Sequence, residues 1–334
     1  MKSHIIFLLF FFIYTYTYAE QIIPLVVMGS GPAGLTAAYY GARSGYDTLI
    51  ISGDHHGGQL MSAGEVENMP GILSQPGKDI IALLEKQAVQ FGATFLEDHV
   101  TELKLHEWPF TLVLASGNRV KAQALIIATG SAPRKLGIPG EDYYWGFGVS
   151  TCAVCDGFLY KDKDVAIIGG GDSAVEQALN IPYAHHITIF VRKNKMRAVH
   201  RMQEKIKNYR NVSIEYEKEV IEIVGDNNVV TGIRVKDITT GEITLFPCDG
   251  VFLAIGHNPN TNLFKNALEL SADGYIHLAT RSQQTSLPGV FAAGDVADSK
   301  YRQAGLAAGS GIQAASEALE FLRDRNILDR AHSR

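Results

Sequence analysis

The fold of this chain is decided by residues 22–51, which read IIPLVVMGSGPAGLTAAYYGARSGYDTLII. The apolar run 22–28 predicts a buried parallel strand, because such strands are covered on both faces. A glycine-rich turn at 29–34 follows, after which residues 35–44 favour a helix and residues 48–51 a second strand. This order of strand, glycine turn, helix and strand predicts a βαβ unit of the dinucleotide-binding kind.

The three glycines of this turn have separate expected roles. Gly29 permits the tight turn, Gly31 lets the backbone approach a pyrophosphate, and Gly34 lets the helix pack closely on the strand. The amino terminus of the helix then directs backbone N–H groups at the phosphates. A glycine turn without a ligand is the alternative, and the flanking strand and helix argue against it.

A second copy of the pattern lies further along the chain. Residues 164–168 predict a strand, GGGDSA at 169–174 a glycine turn, residues 173–180 a helix, and residues 186–191 the next strand. The positions that correspond to the three glycines of the first turn are Gly169, Gly171 and Ala174. Two copies of one unit indicate two nucleotide sites.

Two short strand ends indicate that the second unit is inserted into the first domain. ATG at 128–130 and AIG at 254–256 each end a predicted strand, one before and one after the second unit. We therefore expect an inserted domain over residues 134–257, and a first domain divided into residues 20–133 and 258–334. The predicted fold class is α/β, with two Rossmann-like dinucleotide-binding domains, one inserted into the other.

The residues that follow the second strand of each unit help to distinguish the nucleotides. An acidic residue there binds a ribose 2′-hydroxyl, whereas basic residues accept a 2′-phosphate. In the second unit the strand is followed by four basic residues and no acid: Arg192, Lys193, Lys195 and Arg197. This favours NADPH over NADH, with a solvated basic stretch as the alternative. In the first unit, Asp54 lies slightly late in the chain for a ribose contact.

Cys152 and Cys155 form a C-x-x-C motif inside the predicted inserted domain. A zinc site needs four ligands, and neither Cys248 nor the scattered histidines supply the rest at a useful spacing, so we expect a redox dithiol and no metal. Asp156 is a candidate proton donor for the leaving sulfur if burial raises its pKa, and a helix cap or turn residue is its alternative role. His257 is a second candidate acid, in a strand-end turn that favours a structural role.

Composition excludes several classes of protein. At 334 residues the chain is long enough for two domains, and 46% hydrophobic with 19% charged residues is typical of a folded globular protein. The formal net charge of -5 gives no electrostatic argument for binding nucleic acid or an anionic membrane. Three cysteines are too few for a disulfide-stapled secreted scaffold.

Residues 1–19 have the pattern of a signal peptide. Lys2 precedes the apolar run 5–13, and the segment TYA at 17–19 lies just before Glu20. The apolar run is too short to span a bilayer comfortably. We expect export or membrane attachment from this pattern, and a wrongly assigned start codon or an uncleaved anchor are the alternatives.

Several motifs together give the chain a resemblance to a known family. Along nearly its whole length after residue 20, it resembles the low-molecular-weight thioredoxin reductases of bacteria, fungi and plants, which are class-II pyridine nucleotide-disulfide oxidoreductases. The matching segments are GSGPAG at 29–34, GGQL at 57–60, EVENMPG at 65–71, ATG at 128–130, GVSTCAVCDG at 148–157, GGGDSA at 169–174, AIGHNPN at 254–260, TSLPGVFAAGDVAD at 285–298 and YRQA at 301–304.

The resemblance implies an FAD domain in two segments, with the NADPH domain that carries the dithiol inserted between them. It implies a thioredoxin-disulfide reductase, in which electrons pass from NADPH through FAD and the dithiol to oxidised thioredoxin. By position, Cys155 matches the sulfur that faces the flavin, Cys152 the sulfur that attacks the thioredoxin disulfide, and Asp156 the acid/base of the family.

The resemblance also implies which residues bind the cofactors. FAD lies along the first glycine turn, and the further residues that match its binding positions are Gln59, Asn68, Asp295, Arg302, Gln303 and Ala304. Taken alone, Asp295 would be a turn residue more often than a residue that contacts a cofactor. NADPH lies on the second glycine turn, and Arg192 and Arg197 match the basic cluster beside it. Lys193 stands where Arg is usual, which keeps the charge but loses the forked geometry, so we expect an altered affinity.

Location and two other functions stay open at this point. Family members are typically cytosolic, and the resemblance implies a homodimer, whereas residues 1–19 suggest export. An FAD-dependent dithiol oxidase of the same fold needs no NADPH, and the basic cluster argues against it. A nucleotide-binding redox module without turnover is the third hypothesis, and the intact C-x-x-C motif with Asp156 argues against it.

Overall fold

The computed structural model describes residues 22–63 and 65–325. The predicted signal segment at residues 1–19 lies outside the described residues. No helix in the described part of the chain is both long and apolar enough to cross a membrane. The described residues form α/β structure, as predicted, with parallel strands at the centre of two sheets.

The first part of the chain builds most of one sheet. The strands in this part of the chain are β1 (Ile22–Met28), β2 (Thr48–Ile51), β3 (Glu65–Val66), β4 (Gln75–Pro76), β5 (Thr94–Leu96), β6 (Val100–Lys104), β7 (Phe110–Leu114), β8 (Arg119–Ile127) and β9 (Ser131–Pro133). Its helices are α1 (Pro32–Arg43) and α2 (Gly77–Gln90). The sheet order is β5-β2-β1-β8-β7-β6, in which the first four strands run parallel to one another.

The predicted strand at 22–28 is central in this sheet. It pairs with β2 on one side and β8 on the other, so that Met28 aligns with both Ile51 and Ile127. Burial from both sides explains why the strand is apolar throughout instead of alternating. Because parallel strands end at the same edge, the first glycine turn lies beside the ends of β2 and β8.

The middle of the chain forms two further sheets. Its elements are β10 (Val149–Ser150), α3 (Ala153–Asp156), β11 (Asp164–Ile168), α4 (Asp172–Leu179), β12 (His186–Val191), α5 (His200–Lys207), β13 (Val212–Tyr216), β14 (Lys218–Gly225), β15 (Val230–Asp237), β16 (Ile243–Pro247), β17 (Gly250–Leu253) and β18 (His257–Pro259). A parallel sheet has the order β10-β17-β11-β12-β13, and β14, β15 and β16 form an antiparallel sheet. The parallel sheet is the second Rossmann-like unit.

The end of the described chain returns to the first sheet. β19 (Val290–Ala292) pairs in parallel with β8, and α6 (Ala304–Asp324) packs against α1. The two helices are so close that a Cβ on Gly311 would overlap the backbone carbonyl of Ala33. The chain thus leaves the first sheet after β8 and rejoins it at β19, as an inserted domain requires.

Each parallel sheet has an apolar core on both of its faces. In the first domain, α1 and α6 cover one face around the fully buried Leu35, and Phe264 packs among the residues of the other. In the inserted domain, α4 and α5 cover one face, and the antiparallel sheet covers the other through side chains such as Ile233. The helices and the antiparallel sheet cover the faces of the two parallel sheets, and the glycine turns lie at the carboxyl ends of β1 and β11.

The two crossings of the chain between the domains are paired with each other. β9 and β18 form an antiparallel ribbon in which Ser131 aligns with Pro259 and Pro133 with His257. The backbone N–H of Arg134 donates to the carbonyl oxygen of Gly256 at 2.9 Å. The inserted domain is therefore attached through one two-stranded ribbon.

Candidate active site

The first glycine turn lies at the carboxyl end of β1, and its glycines are needed for different reasons. Gly29 has a φ of 108°, and a Cβ there would overlap the carbonyl oxygen of Ala128. A Cβ on Gly34 would overlap the carbonyl oxygen of Gly29. A Cβ on Gly31 would meet only the carbonyl oxygen of Gly57, at 3.9 Å. Gly31 therefore leaves room for a dinucleotide backbone, whereas Gly29 and Gly34 serve packing.

The second glycine turn repeats these relationships. A Cβ on Gly169 would overlap the carbonyl oxygen of Ala254, while a Cβ on Gly171 would have no heavy atom within 4 Å. Ala174 is fully buried. α1 and α4 begin directly after Gly31 and Gly171 without a side-chain cap, so their first N–H groups stay directed at the turns. Both turns therefore offer the same cradle for a pyrophosphate.

Buried polar groups near the first turn fit a ligand with hydrogen-bonding groups. The hydroxyl groups of Thr36 and Ser131 are buried and have no hydrogen-bond partner in the described part of the chain. Gln59 donates its side-chain amide to the carbonyl oxygen of Ser131. Because buried polar groups are nearly always paired, these hydroxyls mark places where a bound dinucleotide would supply a partner.

Asp295 lies beside the first turn although it is remote in sequence. It follows β19, and a Cβ on the preceding Gly294 would lie 2.9 Å from the Ala33 Cβ. Burial raises the pKa of the Asp295 carboxyl to about 6, with the charge of Asp298 raising it further and that of Arg302 opposing. The residue lies in the short 3₁₀ helix Gly294–Val296 that follows β19, where its carboxyl could accept a hydrogen bond from a ligand hydroxyl.

Arg302, Gln303 and Ala304 lie where α6 begins. Arg302 has a φ of 49°, and its backbone N–H donates to Asp298 Oδ2 at 2.9 Å. Gln303 is the residue before the first residue of the helix, Ala304. Asn68 Nδ2 donates to Gln303 Oε1 at 3.0 Å. The structure therefore brings Asn68, Gln303 and the start of α6 together.

Cys152 and Cys155 form a disulfide, and the structure distinguishes the two sulfurs. Cys152 caps α3, and its Sγ accepts a hydrogen bond from the Cys155 backbone N–H at 3.2 Å. The Nε2 of Gln303, from the first domain, lies 3.9 Å from the same sulfur. Two N–H donors favour the thiolate of Cys152 once the disulfide is reduced. This arrangement agrees with the attacking role that the resemblance implies for Cys152.

Asp156 ends α3 and is half-buried. Its Oδ2 accepts a hydrogen bond from Ser150 Oγ at 2.5 Å. Burial raises the pKa of Asp156 above its ordinary value, and the hydrogen bond from Ser150 opposes the rise. The side chain makes no capping hydrogen bond to the following helical turn. A raised pKa suits a group that donates a proton near neutral pH, so the site favours the acid role over the cap.

Two residues that hold the dithiol loop could not be found in the sequence. The Ser150 hydroxyl also accepts a hydrogen bond from the Cys152 backbone N–H, at 3.0 Å. Gln177, on α4, donates to the carbonyl oxygens of Thr151 at 3.1 Å and Leu253 at 3.4 Å. Both side chains act across turns that exist only in the folded chain, so neither forms a recognisable motif.

Two other groups considered from the sequence are unsuited to the chemistry. Burial lowers the pKa of His257 to about 4, with Arg302 and Arg134 adding to the effect, so the ring is neutral at pH 7. Burial and the nearby Asp249 raise the pKa of the Cys248 thiol to about 12, which makes it a poor nucleophile. Among the described residues, no group of three or more His, Cys, Asp and Glu side chains could hold a metal ion.

The basic residues that follow β12 lie beside the second glycine turn. The backbone N–H of Arg197 donates to the carbonyl oxygen of Gly170 at 2.6 Å. The side chains of Arg192, Lys193 and Arg197 are exposed. Within residues 22–63 and 65–325, none of the three forms an ion pair with a carboxylate. Unpaired cations at this position are available to a phosphate group.

Comparison with known proteins gives the chain close relatives over most of its length. A thioredoxin reductase from Rickettsia typhi is 42% identical over 302 residues, which cover 89% of this chain and 97% of the relative. A thioredoxin reductase from Streptomyces coelicolor is 42% identical over 310 residues, covering 92% and 96%. The chain therefore matches whole proteins of that name, not one domain of them.

Solved structures and a family comparison agree with these relatives. The thioredoxin reductase from Giardia duodenalis superimposes with a TM-score of 0.87 at 36% identity, covering 91% of this chain and 100% of that one. The structure from Streptococcus pyogenes gives 0.86 at 33% identity, covering 91% and 99%. The family described as pyridine nucleotide-disulphide oxidoreductase matches residues 23–311. The chain therefore belongs to the pyridine nucleotide-disulphide oxidoreductase family, and its relatives there are the low-molecular-weight thioredoxin reductases.

Proposed function

We propose that this protein is an FAD-containing, NADPH-dependent thioredoxin-disulfide reductase. The observation that carries the proposal is a disulfide that lies between the two glycine turns in the sequence, with Cys152 in contact with Gln303 of the first domain. Relatives at about 40% identity over most of the chain are thioredoxin reductases, and the family implies a flavin and a nicotinamide cofactor.

FAD is proposed as the flavin of the first domain. The open space at Gly31 fits its pyrophosphate, and Asp295 lies beside that turn. The unpartnered hydroxyls of Thr36 and Ser131 would gain hydrogen-bond partners from a bound dinucleotide. Gln59 and Asn68 lie on the segment that reaches Ser131 and Gln303. When bound, the flavin and the nicotinamide supply the two-electron chemistry that reduces the disulfide.

NADPH is proposed as the nucleotide of the inserted domain. Gly171 gives its turn the same open space as the first, and the unpaired Arg192, Lys193 and Arg197 follow β12 beside it. A 2′-phosphate would pair with these cations, whereas a 2′-hydroxyl would leave them without a partner.

The partner is proposed to be a protein, and specifically oxidised thioredoxin. Apolar side chains within and just after the C-x-x-C motif are exposed: Val154 at 55%, Phe158 at 48% and Leu159 at 52%. An apolar surface beside a reactive disulfide suits docking of a folded partner better than binding of a small polar dithiol.

The exchange with the partner uses the two sulfurs in order. The Cys152 thiolate attacks one sulfur of the partner disulfide, whose S–S bond breaks, and the leaving sulfur takes up a proton. We propose that Asp156 gives that proton. The Cys155 thiolate then attacks Cys152, which releases the second partner sulfur and restores the Cys152–Cys155 disulfide. Two electrons have then moved to the partner.

Assembly and location are proposed from resemblance and sequence alone. We expect a homodimer because the resemblance implies one. The signal pattern at residues 1–19 predicts export or membrane attachment, although the family resemblance implies the cytoplasm. Amino-terminal sequencing of the protein from fractionated source cells would decide between these locations.

The proposed function is tested by following NADPH oxidation in the presence of oxidised thioredoxin. Cys152→Ser and Cys155→Ser should each abolish turnover, while Cys248→Ala, which removes a buried and unreactive thiol, should retain it. Full turnover by Cys155→Ser would contradict the proposed electron path. Oxygen consumption with a small dithiol, without dependence on NADPH, would instead indicate a dithiol oxidase.

A further inference from the structure

Ser150 connects the attacking cysteine to the acid/base through one hydroxyl group. It ends β10 and is 9% exposed. Its Oγ accepts the Cys152 backbone N–H at 3.0 Å and donates to Asp156 Oδ2 at 2.5 Å. A single atom therefore lies between the two groups that must be positioned for disulfide exchange.

The direction of these hydrogen bonds is fixed by their chemistry. A backbone N–H can only donate, so the Ser150 oxygen is the acceptor in its contact with Cys152. The hydroxyl proton is then free to point at the carboxylate of Asp156. Such a bond favours the ionised carboxylate, and it opposes the effect of burial on the same group.

The loop has a rigid support on either side of this contact. Ser150 aligns with Phe252 in the pairing of β10 with β17, so its backbone is fixed by the parallel sheet. The next residue, Thr151, is held through its carbonyl oxygen by Gln177 of α4. The backbone of Ser150 is therefore held on both sides, and its hydroxyl can orient the side chain of Asp156.

We propose that Ser150 is a positioning residue for the dithiol reaction, which orients the Asp156 carboxyl group and controls its proton while holding the backbone of Cys152. The inference rests on the proposed function, because it assigns a second residue to the same exchange. Ser150 itself neither gains nor loses a proton in the reaction. Of its two contacts, we expect the one with Asp156 to carry most of its effect on turnover.

Few other groups can account for the titration of Asp156. Among the described residues, burial and the Ser150 hydrogen bond are the influences on its pKa, and no charged side chain adds to them. Tyr160 is close enough to Asp156 to feel its charge, but burial and that charge raise the pKa of the Tyr160 phenol to about 12, so the phenol stays neutral near neutral pH. The thiols of Cys152 and Cys155, in the same motif, also titrate once the disulfide is reduced.

The test is the pH profile of thioredoxin reduction by the holoenzyme, measured for Ser150→Ala, Asp156→Asn and the double variant. Ser150→Ala should lower kcat about tenfold, since one hydrogen bond to a charged group is lost. It should also move the alkaline limb of the pH profile to higher pH. Without the Ser150 hydroxyl as a donor, the pKa of Asp156 rises and the carboxyl stays protonated to a higher pH. In the Asp156→Asn background, Ser150→Ala should add little, since it acts through the missing carboxyl.

Ser213→Ala is the matched control, because it removes a partly buried hydroxyl that also bonds two side chains of the inserted domain. Its pH profile should coincide with the wild type. A Ser150→Ala profile that also coincides, or a loss that adds fully to that of Asp156→Asn, would overturn the inference alone. A wild-type protein that reduces no thioredoxin with NADPH would overturn the proposed function and the inference with it.

Discussion

The side-chain amide of Gln303 directs its Nε2 at the Sγ of Cys152, 3.9 Å away, across the boundary between the two parts of the molecule. Asn68 donates to the Oε1 of the same amide at 3.0 Å, which fixes the orientation of the amide. The donor therefore faces the sulfur. A sulfur in this position can be affected by any change of charge at Gln303.

Gln303→Glu should raise the pKa of the Cys152 thiol in the reduced protein, because a carboxylate would replace the N–H donor. The fraction of thiolate at neutral pH falls, so alkylation by iodoacetamide should become several-fold slower. Gln313→Glu is a suitable control, because Gln313 lies on the same helix and bonds Gln283 instead. Equal alkylation rates in the wild type and Gln303→Glu would contradict the contact.

Two alanine substitutions in the first glycine turn should affect different properties, one the stability of the protein and the other its flavin binding. Gly29→Ala should destabilise the protein by more than about 3 kcal/mol, because the methyl group would overlap Ala128 at a φ of 108°. Gly31→Ala should leave the apoprotein as stable as the wild type, since its Cβ has room, but should reduce flavin binding. Thermal unfolding of the apoproteins and the flavin content after purification measure the two effects. If the folded Gly31→Ala variant kept its flavin, the dinucleotide would not occupy the open space at Gly31.

The stability of the apoprotein should depend on Asp295 in a defined pH window. Burial raises its pKa from an ordinary value of 3.8 to about 6 in the folded state. Folding therefore favours the protonated form. Below pH 3.8 Asp295 does not reduce the free energy of unfolding, and between pH 3.8 and about 6 it reduces that free energy increasingly.

This reduction amounts to about 3 kcal/mol above that window. Asp295→Asn removes the charge, so its advantage over the wild type should grow as pH rises through the window and then level off. Urea unfolding of both apoproteins at several pH values measures the difference. A difference that does not change with pH would show that the carboxyl is not held away from water.

Nucleotide preference should depend on the unpaired cations after β12. Replacing Arg192 and Arg197 by alanine should raise the KM for NADPH about tenfold or more, since each loses a charge-assisted contact with the 2′-phosphate. The KM for NADH, which lacks that phosphate, should change little. Arg234→Ala is the control, because that guanidinium is also exposed but pairs with Glu222. An unchanged KM for NADPH would show that the cluster is only solvated, and equal losses with both nucleotides would show that it does not recognise the 2′-phosphate.

The sequence predicted the two Rossmann-like units closely because their strands are short apolar runs that end at glycine turns. The strand at 22–28 and the strand at 186–191 have the predicted bounds. The helix α1 begins at Pro32, earlier than the predicted residue 35, since proline is favoured in the first turn of a helix. The strand predicted to end at ATG, residues 128–130, is long because it begins at Arg119, where residues 119–123 alternate between exposed and more buried positions.

The supporting contacts of the site could not be predicted in the same way. The cysteines and Asp156 belong to one local motif, so spacing alone identifies them. Ser150 becomes significant only when β10 and the following loop place its hydroxyl between Cys152 and Asp156. Gln303 approaches Cys152 only because residues far apart in the sequence come together in the folded chain. Such relationships are tertiary, and no local pattern encodes them.

The ribbon of β9 and β18 brings the two ends of the inserted segment together. Since the backbone of Arg134 bonds that of Gly256, the inserted segment begins and ends at the same point. A segment whose ends are adjacent can be inserted into another domain without disturbing it. Here the pairing of β19 with β8 does not depend on the inserted residues. We expect residues 134–257 expressed alone to unfold cooperatively, as circular dichroism would show. The dithiol and its own nucleotide turn therefore lie together in one segment that we expect to fold as a unit.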